Sequence, residues 1–273
     1  MAQNTNMIAF AHNTSIDSST ARLPEYEQPL NERMRTFMRL EFLYQQLLYN
    51  CKSDSDWATR GAVLSLLEIM AILTRGDVRA EVHKELDLQI DTLSKFQNQP
   101  GVDSDRLGAL FENLITSREE VDAAGTQFMQ TLKNCEFLSS IKHRSSIPGG
   151  TCEFDLPEYG HWLRQPPARR TEDMDAWLKF IQPLCDAVTK LLWLIRESAR
   201  PAAKKAVNGM YQHRMQKGAR CLLLRVALPP DSSLYPEISG NQHRFTVRFL
   251  EWSTIDSRAV QAAHDVDFDI SIC

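Results

Sequence analysis

The residues in this chain with the types and spacing for chemistry are arginines, and the chemistry they suit is the recognition of carboxylates. In the run His243-Arg-Phe-Thr-Val-Arg-Phe-Leu-Glu-Trp252 a period of two places Phe245, Val247 and Phe249 on one face and Arg244, Thr246 and Arg248 on the other. Two guanidinium groups then share a face about 13 Å apart, at roughly 3.4 Å of rise per residue. Each is a planar, permanently charged fork that can hold a carboxylate through two hydrogen bonds. Arg35 and Arg39 repeat the theme one helical turn apart, where like charges repel and Glu32 offers local relief. Arg75 precedes the break at Gly76, and Lys142-His143-Arg144 precedes a turn-rich stretch. A plainer reading stands beside this one: Arg244 and Arg248 neutralise Asp267 and Asp269 on a neighbouring strand.

Other kinds of chemistry find little support. The sequence holds no glycine-rich phosphate loop, no GxSxG, no HExxH and no calcium loop. The pairs His143 with His161 and His243 with His264 lack a cysteine or carboxylate at ligand spacing, so neither a metal nor another cofactor is expected. Six cysteines are scattered without a CxxC pair and read as buried or free thiols. Asp54, Asp56 and Glu172-Asp173 fall where helices are expected to begin, which capping and dipole compensation explain. The chain does not read as an enzyme. A nucleic-acid binder using the same basic face is the alternative, opposed by a net charge of -4 and by the lack of aromatics interleaved with the basic strand residues.

The elements that position these arginines follow from the period of the apolar residues. From Asn31 to about Arg200 the spacing is helical, and afterwards it alternates. A helix capped by Asn31 is predicted to run to about Tyr49, with Met34, Phe37, Met38, Leu40, Leu43, Leu47 and Leu48 as its stripe. Further helices are predicted for Asp56 to Thr74, Val78 to Gln97, Ser104 to Asp122, Gly125 to Leu132, Cys135 to Lys142, Leu156 to Leu163 and Arg170 to Ser198. Gly76 and Pro100-Gly101 mark breaks. A strand is predicted at Thr151 to Phe154, and three more at Arg220 to Leu228, His243 to Trp252 and Asp265 to Ile272.

The fold class is therefore α+β: a tail over 1–28 without sustained period, read as disordered, a mainly helical domain over 29–200, and a smaller antiparallel β-domain over 201–273, joined by the strand near 150–155. The helical stripes carry more apolar surface than one small bundle hides, which points to a homodimer through the helical domain, with burial of the same stripes within one chain as the alternative. No apolar stretch approaches the ~20 residues of a membrane span and the N-terminus lacks signal-peptide order, so a cytoplasmic address is expected.

Seven blocks of the sequence carry a resemblance to a known family. They are Pro29-Leu-Asn-Glu-Arg-Met-Arg-Thr-Phe-Met-Arg-Leu-Glu-Phe-Leu43, Arg75-Gly-Asp-Val-Arg-Ala-Glu81, Lys84-Glu-Leu-Asp87, Ser146-Ile-Pro-Gly-Gly150, Phe154-Asp-Leu-Pro157, Asn208-Gly209, and Leu234-Tyr-Pro-Glu-Ile-Ser-Gly240 followed by Arg244-Phe-Thr-Val-Arg-Phe249. In order and with similar spacing from about residue 28 onward, they strongly resemble the ZapD family. The resemblance implies a dimeric, non-enzymatic, cytoplasmic cell-division protein with a helical domain and a β-domain. It also implies binding of the C-terminal tail of the tubulin-like protein FtsZ in a basic pocket, with cross-linking or bundling of FtsZ protofilaments that stabilises the Z ring at midcell. The positions that match the family's basic residues are Arg35, Arg39, Arg75, Lys142, Arg144, Arg244 and Arg248, while His161 and Arg225 lie in matching segments. Lys142 stands where the family usually has arginine, which keeps the charge without the bidentate fork.

Overall fold

The computed structural model describes residues 25–96, 103–125 and 127–273, and the chain has the α+β class expected. Two compact units are present: residues 31–198 are helical, while described residues 25–30 and 199–273 form the β-unit.

Eight helices are found among the described residues of the helical unit: α1 (Glu32–Asn50), α2 (Asp56–Arg75), α3 (Val78–Ser94), α4 (Ser104–Ala123), α5 (Gln130–Lys133), α6 (Glu136–Ser145), α7 (Pro157–Leu163) and α8 (Pro167–Glu197). Their starts are written in short polar side chains. Asn31 accepts from the Met34 amide at 2.9 Å, and Ser55, Asp77 and Asp103 cap α2, α3 and α4 in the same way. On α1 the residues Met34, Phe37, Leu40, Leu43 and Leu47 are buried as the spacing predicts, but Leu48 is exposed and Met38 only half-buried. Polar groups complete the buried face instead. Tyr44 donates to Asp186 of α8 at 2.9 Å, and Glu41 takes both arms of Arg196 at 2.7 Å each. Burial raises the Asp186 carboxyl above the usual carboxylate range, against the bonds from Tyr44 and Gln182 that hold it down.

Helix α2 is long and apolar enough to cross a membrane by length and composition, contrary to the expectation that no such stretch exists. Half of its most apolar window is buried in the protein, where Ala62, Val63, Leu66, Ile69 and Leu73 pack inward, and α1 is its main neighbour. The 31-residue helix α8 runs through Pro183 and packs against α1, α3 and α4. Its first turns are fixed by Arg170, which is 4% exposed and donates to the Asp56 carboxylate and to the backbone carbonyls of Leu163 and Asp54. One guanidinium thus ties the start of α8 to the start of α2 and the end of α7.

Two local expectations are corrected. The predicted helix Gly125 to Leu132 shrinks to the single turn α5, because Gly125 takes a left-handed φ of 70° and ends α4; Thr126 lies outside the described residues. The predicted ends at Gln97 and Pro100-Gly101 also lie outside them. Thr151 to Phe154 is no strand: Cys152 donates to Gly149 at 2.9 Å, and Asp155 and Leu156 both donate to Cys152, so the backbone bonds close locally as turns.

The β-unit holds β1 (Glu25–Pro29), β2 (Ala202–Ala206), β3 (Met210–Arg214), β4 (Leu223–Ala227), β5 (Leu234–Asn241), β6 (Arg244–Glu251), β7 (Val260–Gln261) and β8 (Val266–Ile272). All pairs are antiparallel, in one sheet ordered β1-β4-β8-β2 and another ordered β3-β6-β5 with β7 also on β6. The tail reading fails at its end, since Glu25 to Gln28 pair with β4 rather than lying disordered; residues 1–24 are outside the described part. The sheets face each other across one core, with Phe249 and Phe268 rings 4.9 Å apart and Val226, Val247 and Ile270 around them. Between β2 and β3 the turn Asn208-Gly209 has φ of 47° and 70°, as a tight hairpin of this hand requires. A Cβ on Gly209 would stand 2.4 Å from the Ala262 carbonyl, so the glycine is needed for space as well as for φ.

The Arg170 network gives a direct check of the helical unit. Arg170→Ala is expected to lower unfolding stability by about 2 kcal/mol, because it strands the buried Leu163 carbonyl and removes the cation from the Asp54 carbonyl and the Asp56 carboxylate. Urea denaturation followed by circular dichroism would measure it, and a loss of only a few tenths would show that water replaces the guanidinium.

Candidate functional site

The alternation read from β6 is realised in the structure. Phe245, Val247 and Phe249 are buried, Arg244 and Arg248 are exposed, and Thr246 is half-buried on their side. The register of the flanking strands turns this side into a small grid. Across the sheet Met210, Arg248 and Glu237 form one row, Gln212, Thr246 and Ser239 a second, and Arg214, Arg244 and Asn241 a third. The second and third rows, with His213, Gly240 and Phe245, line an open cavity of about 470 Å³.

The rows differ in charge. Arg248 is paired with Glu237, so the first row is neutral with Met210 as an exposed apolar group. Polar side chains alone make up the second. In the third, Arg214 and Arg244 are direct cross-strand neighbours, both exposed, and neither has an ion pair among the described residues. Pairing of Arg244 and Arg248 with Asp267 and Asp269 does not occur. Those aspartates belong to β8 in the other sheet, where Asp267 meets Lys205 of β2 at 3.6 Å. The two sheets share a core through Phe249 and Phe268, so their outward charges lie on opposite sides of the sandwich.

The remaining sequence candidates divide by what they touch. Arg225 on β4 is mostly buried and bonds Glu25 and Glu27 of β1, with the latter at 3.4 Å, so it fastens the edge strand. In the helical unit Arg35 pairs with Glu32 at 3.1 Å, as its spacing implied, while Arg39 is exposed one turn on, without an ion pair among the described residues. Arg75 ends α2 and Lys142 and Arg144 lie in the last turn of α6, where cations suit the helix dipole. Arg144 is 3.9 Å from Asp155. His161 is exposed on α7 beside Gln165, 3.0 Å away.

Some residues escaped the sequence reading. Arg214 and Gln212 sit on β3, whose run Met-Tyr-Gln-His-Arg has too few apolar residues to declare a strand. Glu237 was hidden because β5 contains Pro236 and Gly240, both ordinary signs of a turn. Arg60 of α2 stacks over Trp57 and Tyr159, with ring distances of 5.6 and 4.9 Å.

Reactive groups beyond these cations are held quiet. All six cysteines are free thiols, and burial pushes Cys51 up to about 11 and Cys185 higher still, so both stay protonated at neutral pH and are poor nucleophiles. No cluster of three or more metal-binding side chains is found among the described residues.

Comparison with known proteins gives one consistent result. The profile of the ZapD family, described as a cell division protein, matches residues 38–248. The Cell division protein ZapD of Methylococcus capsulatus is 38% identical over 249 residues, covering 91% of this chain and 97% of that protein. Its counterpart in Dechloromonas aromatica is 36% identical over 249 residues, with 91% and 98% covered. The protein of that name in Escherichia coli O17:K52:H18 is 38% identical over 248 residues, again with 91% and 98% covered.

Two arginines of the β-unit should therefore behave in opposite ways. Arg225→Ala is expected to cost about 2 kcal/mol, since it removes the mostly buried cation that ties Glu25 and Glu27 of a short edge strand to β4. Arg244→Ala should stay within about 0.5 kcal/mol of the parent, as a solvated side chain with no ion pair among the described residues. Thermal melts of the two variants would decide it, and equal losses would contradict the division between fastening and free arginines.

Proposed function

This chain belongs to the ZapD family of cell division proteins, and from that premise we propose that it binds the C-terminal tail of FtsZ on the arginine face of β6 and cross-links FtsZ protofilaments as a homodimer. The observation that carries the reading is Arg244, exposed above an open cavity and free of ion pairs among the described residues. Arg248 joins it by exchanging Glu237 for a carboxylate of the tail. Arg35, Arg39, Arg75, Lys142 and Arg144 belong to the helical unit and are cations that the family reading offers to FtsZ on that unit by itself. Place of action is the cytoplasm, at the Z ring of midcell.

Physical chemistry supports the mechanism. A short tail that is disordered when free loses entropy on docking, so its affinity rests on a few charge-assisted forks and stays modest per site. Two sites on one dimer convert modest affinity into avidity along a filament that presents many tails. Because the arginines are exposed, salt screens the contact. The three rows from Met210 to Arg214 carry no aromatic side chain for base stacking, and the outward aromatic of β5, the half-buried Tyr235, lies beyond them opposite Leu250, which favours a peptide over a nucleic acid.

The dimer contact we assign to the outward sides of α1 and α2. Phe42, Tyr49 and Trp57 are 66%, 76% and 81% exposed there, with Leu64 further along α2. Covering such a group of large side chains favours association of helical faces.

One set of sedimentation experiments separates the two halves of the proposal. The parent protein should sediment as a dimer, pellet with FtsZ polymers, and bind a labelled tail peptide less tightly as salt rises. Arg244→Glu should remain a dimer and lose at least about tenfold in tail affinity. Trp57→Arg should sediment as a monomer that still binds the tail but no longer bundles filaments. A monomeric parent that stays in the supernatant would defeat the proposal, and undiminished binding to FtsZ lacking its tail would defeat the site.

A further inference from the structure

The third row of the grid is an arrangement that a sheet does not adopt for its own stability. Arg214 and Arg244 are paired directly across β3 and β6, and like charges at such positions repel. No carboxylate of the described residues answers them, although Glu237 answers Arg248 two rows away. Asn241 flanks the row and uses its side-chain oxygen on the amides of His243 and Arg244, at 2.9 and 3.2 Å, which fixes the turn that presents Arg244. Two forks side by side on a fixed backbone, over a cavity of about 470 Å³, make a site for one carboxylate held from both sides.

The face is also polar along the strand direction. Beyond the arginine row come Gln212, Thr246 and Ser239, which offer hydrogen bonds without charge. Next is the row of Met210, whose thioether is exposed and lies 4.0 Å from the Gln212 amide, with its neighbour Arg248 already neutralised by Glu237. Methionine is a deformable apolar surface suited to varied partners. The arginine row and the methionine row are four residues apart along β6, or about 13 Å at the rise of an extended chain. An extended peptide shows alternate side chains to one side, so positions four apart would reach both rows together.

We propose that Arg214 and Arg244 form a two-arginine clamp for a side-chain carboxylate of an extended acidic peptide, whose apolar residue four positions away rests on Met210. The inference rests on the reading of this face as the tail site and adds Arg214, Met210 and a spacing rule to it. Arg214 is a binding residue of the same standing as Arg244, and the spacing rule selects among acidic peptides that the charge alone would admit.

The test titrates labelled peptides into the full-length protein by fluorescence anisotropy. With the FtsZ tail peptide, Arg214→Glu should lose at least about tenfold in affinity, comparable to Arg244→Glu, and Arg214→Lys should lose less because it keeps the charge without the fork. The melting temperature of Arg214→Glu should be equal to or above that of the parent, since it replaces a repulsion by an attraction to Arg244. Tail peptide amidated at its C-terminus should bind like the free acid, and loss of binding on amidation would overturn the side-chain assignment. A second probe is a short acetylated and amidated peptide with one aspartate, a leucine four positions on, and serine or threonine elsewhere. It should bind more tightly than versions with asparagine for aspartate or with the leucine moved by one position. If Arg244→Glu weakens the tail but Arg214→Glu does not, the clamp is wrong while the tail site stands. If the tail fails to bind the parent but the probe binds and is lost in Arg214→Glu, the clamp stands and FtsZ is not its partner. Failure of both peptides with the parent would remove the clamp altogether.

Discussion

The candidate site depends on one constraint, the alternation of side chains along β6. Phe245, Val247 and Phe249 must fill the space between the two sheets, where Phe249 meets Phe268 and Val247 is fully buried. Burial of three such side chains stabilises the β-unit by several kcal/mol, on the order of 2 kcal/mol each. The same period then forces Arg244, Thr246 and Arg248 outward, whatever the electrostatic cost. A slip of one residue in register would bury the arginines and expose the phenylalanines, so the core holds the guanidinium groups in place. Positional accuracy at the surface is thus supplied by apolar packing underneath, and no long side-chain network is needed to aim the forks.

A second device acts in the helical unit, where polar groups inside the core fix how the helices meet. Arg170 reaches the start of α2 and the end of α7, and Glu41 with Arg196 and Tyr44 with Asp186 bind α1 to α8. Each has a defined geometry, unlike the apolar contacts around it, and so selects one arrangement among those that apolar stripes alone would permit. The consequence is an α1 and α2 whose inward faces are fully used, leaving Phe42, Tyr49, Trp57 and Leu64 outside.

How much of this was legible in the sequence depends on how local the signal was. The cap at Asn31, five of the seven stripe residues of α1 and the two faces of β6 are written within a few residues and are legible there. Pairing between distant segments is not. Glu25 and Arg225 are 200 residues apart, and nothing near Glu25 declares that its partner strand comes so late. The expected pairing of Arg244 and Arg248 with Asp267 and Asp269 assumed a single sheet, and failed because the strands divide between two. Arg214 was missed because β3 has a polar composition that only its neighbour β6 makes sense of. At Thr151 to Phe154 a β-branched and an aromatic residue suggested a strand, yet Gly149 and the bonds to Cys152 close the chain into turns. The family resemblance gathered the basic residues into one expectation, while the structure sorted them into fastened, paired and without an ion pair among the described residues.

The central claim is that an acidic peptide docks on the outward side of β3, β6 and β5, and the most direct measurement is to map the contact by nuclear magnetic resonance. Isotope-labelled protein would be titrated with the FtsZ tail peptide while backbone amide and arginine side-chain signals are followed. The account predicts saturable shifts at Gln212, Arg214, Ser239, Asn241, Arg244 and Thr246, with the Arg225 side chain unmoved. Shifts confined to α1, α6 or α7, with β6 silent, would contradict it.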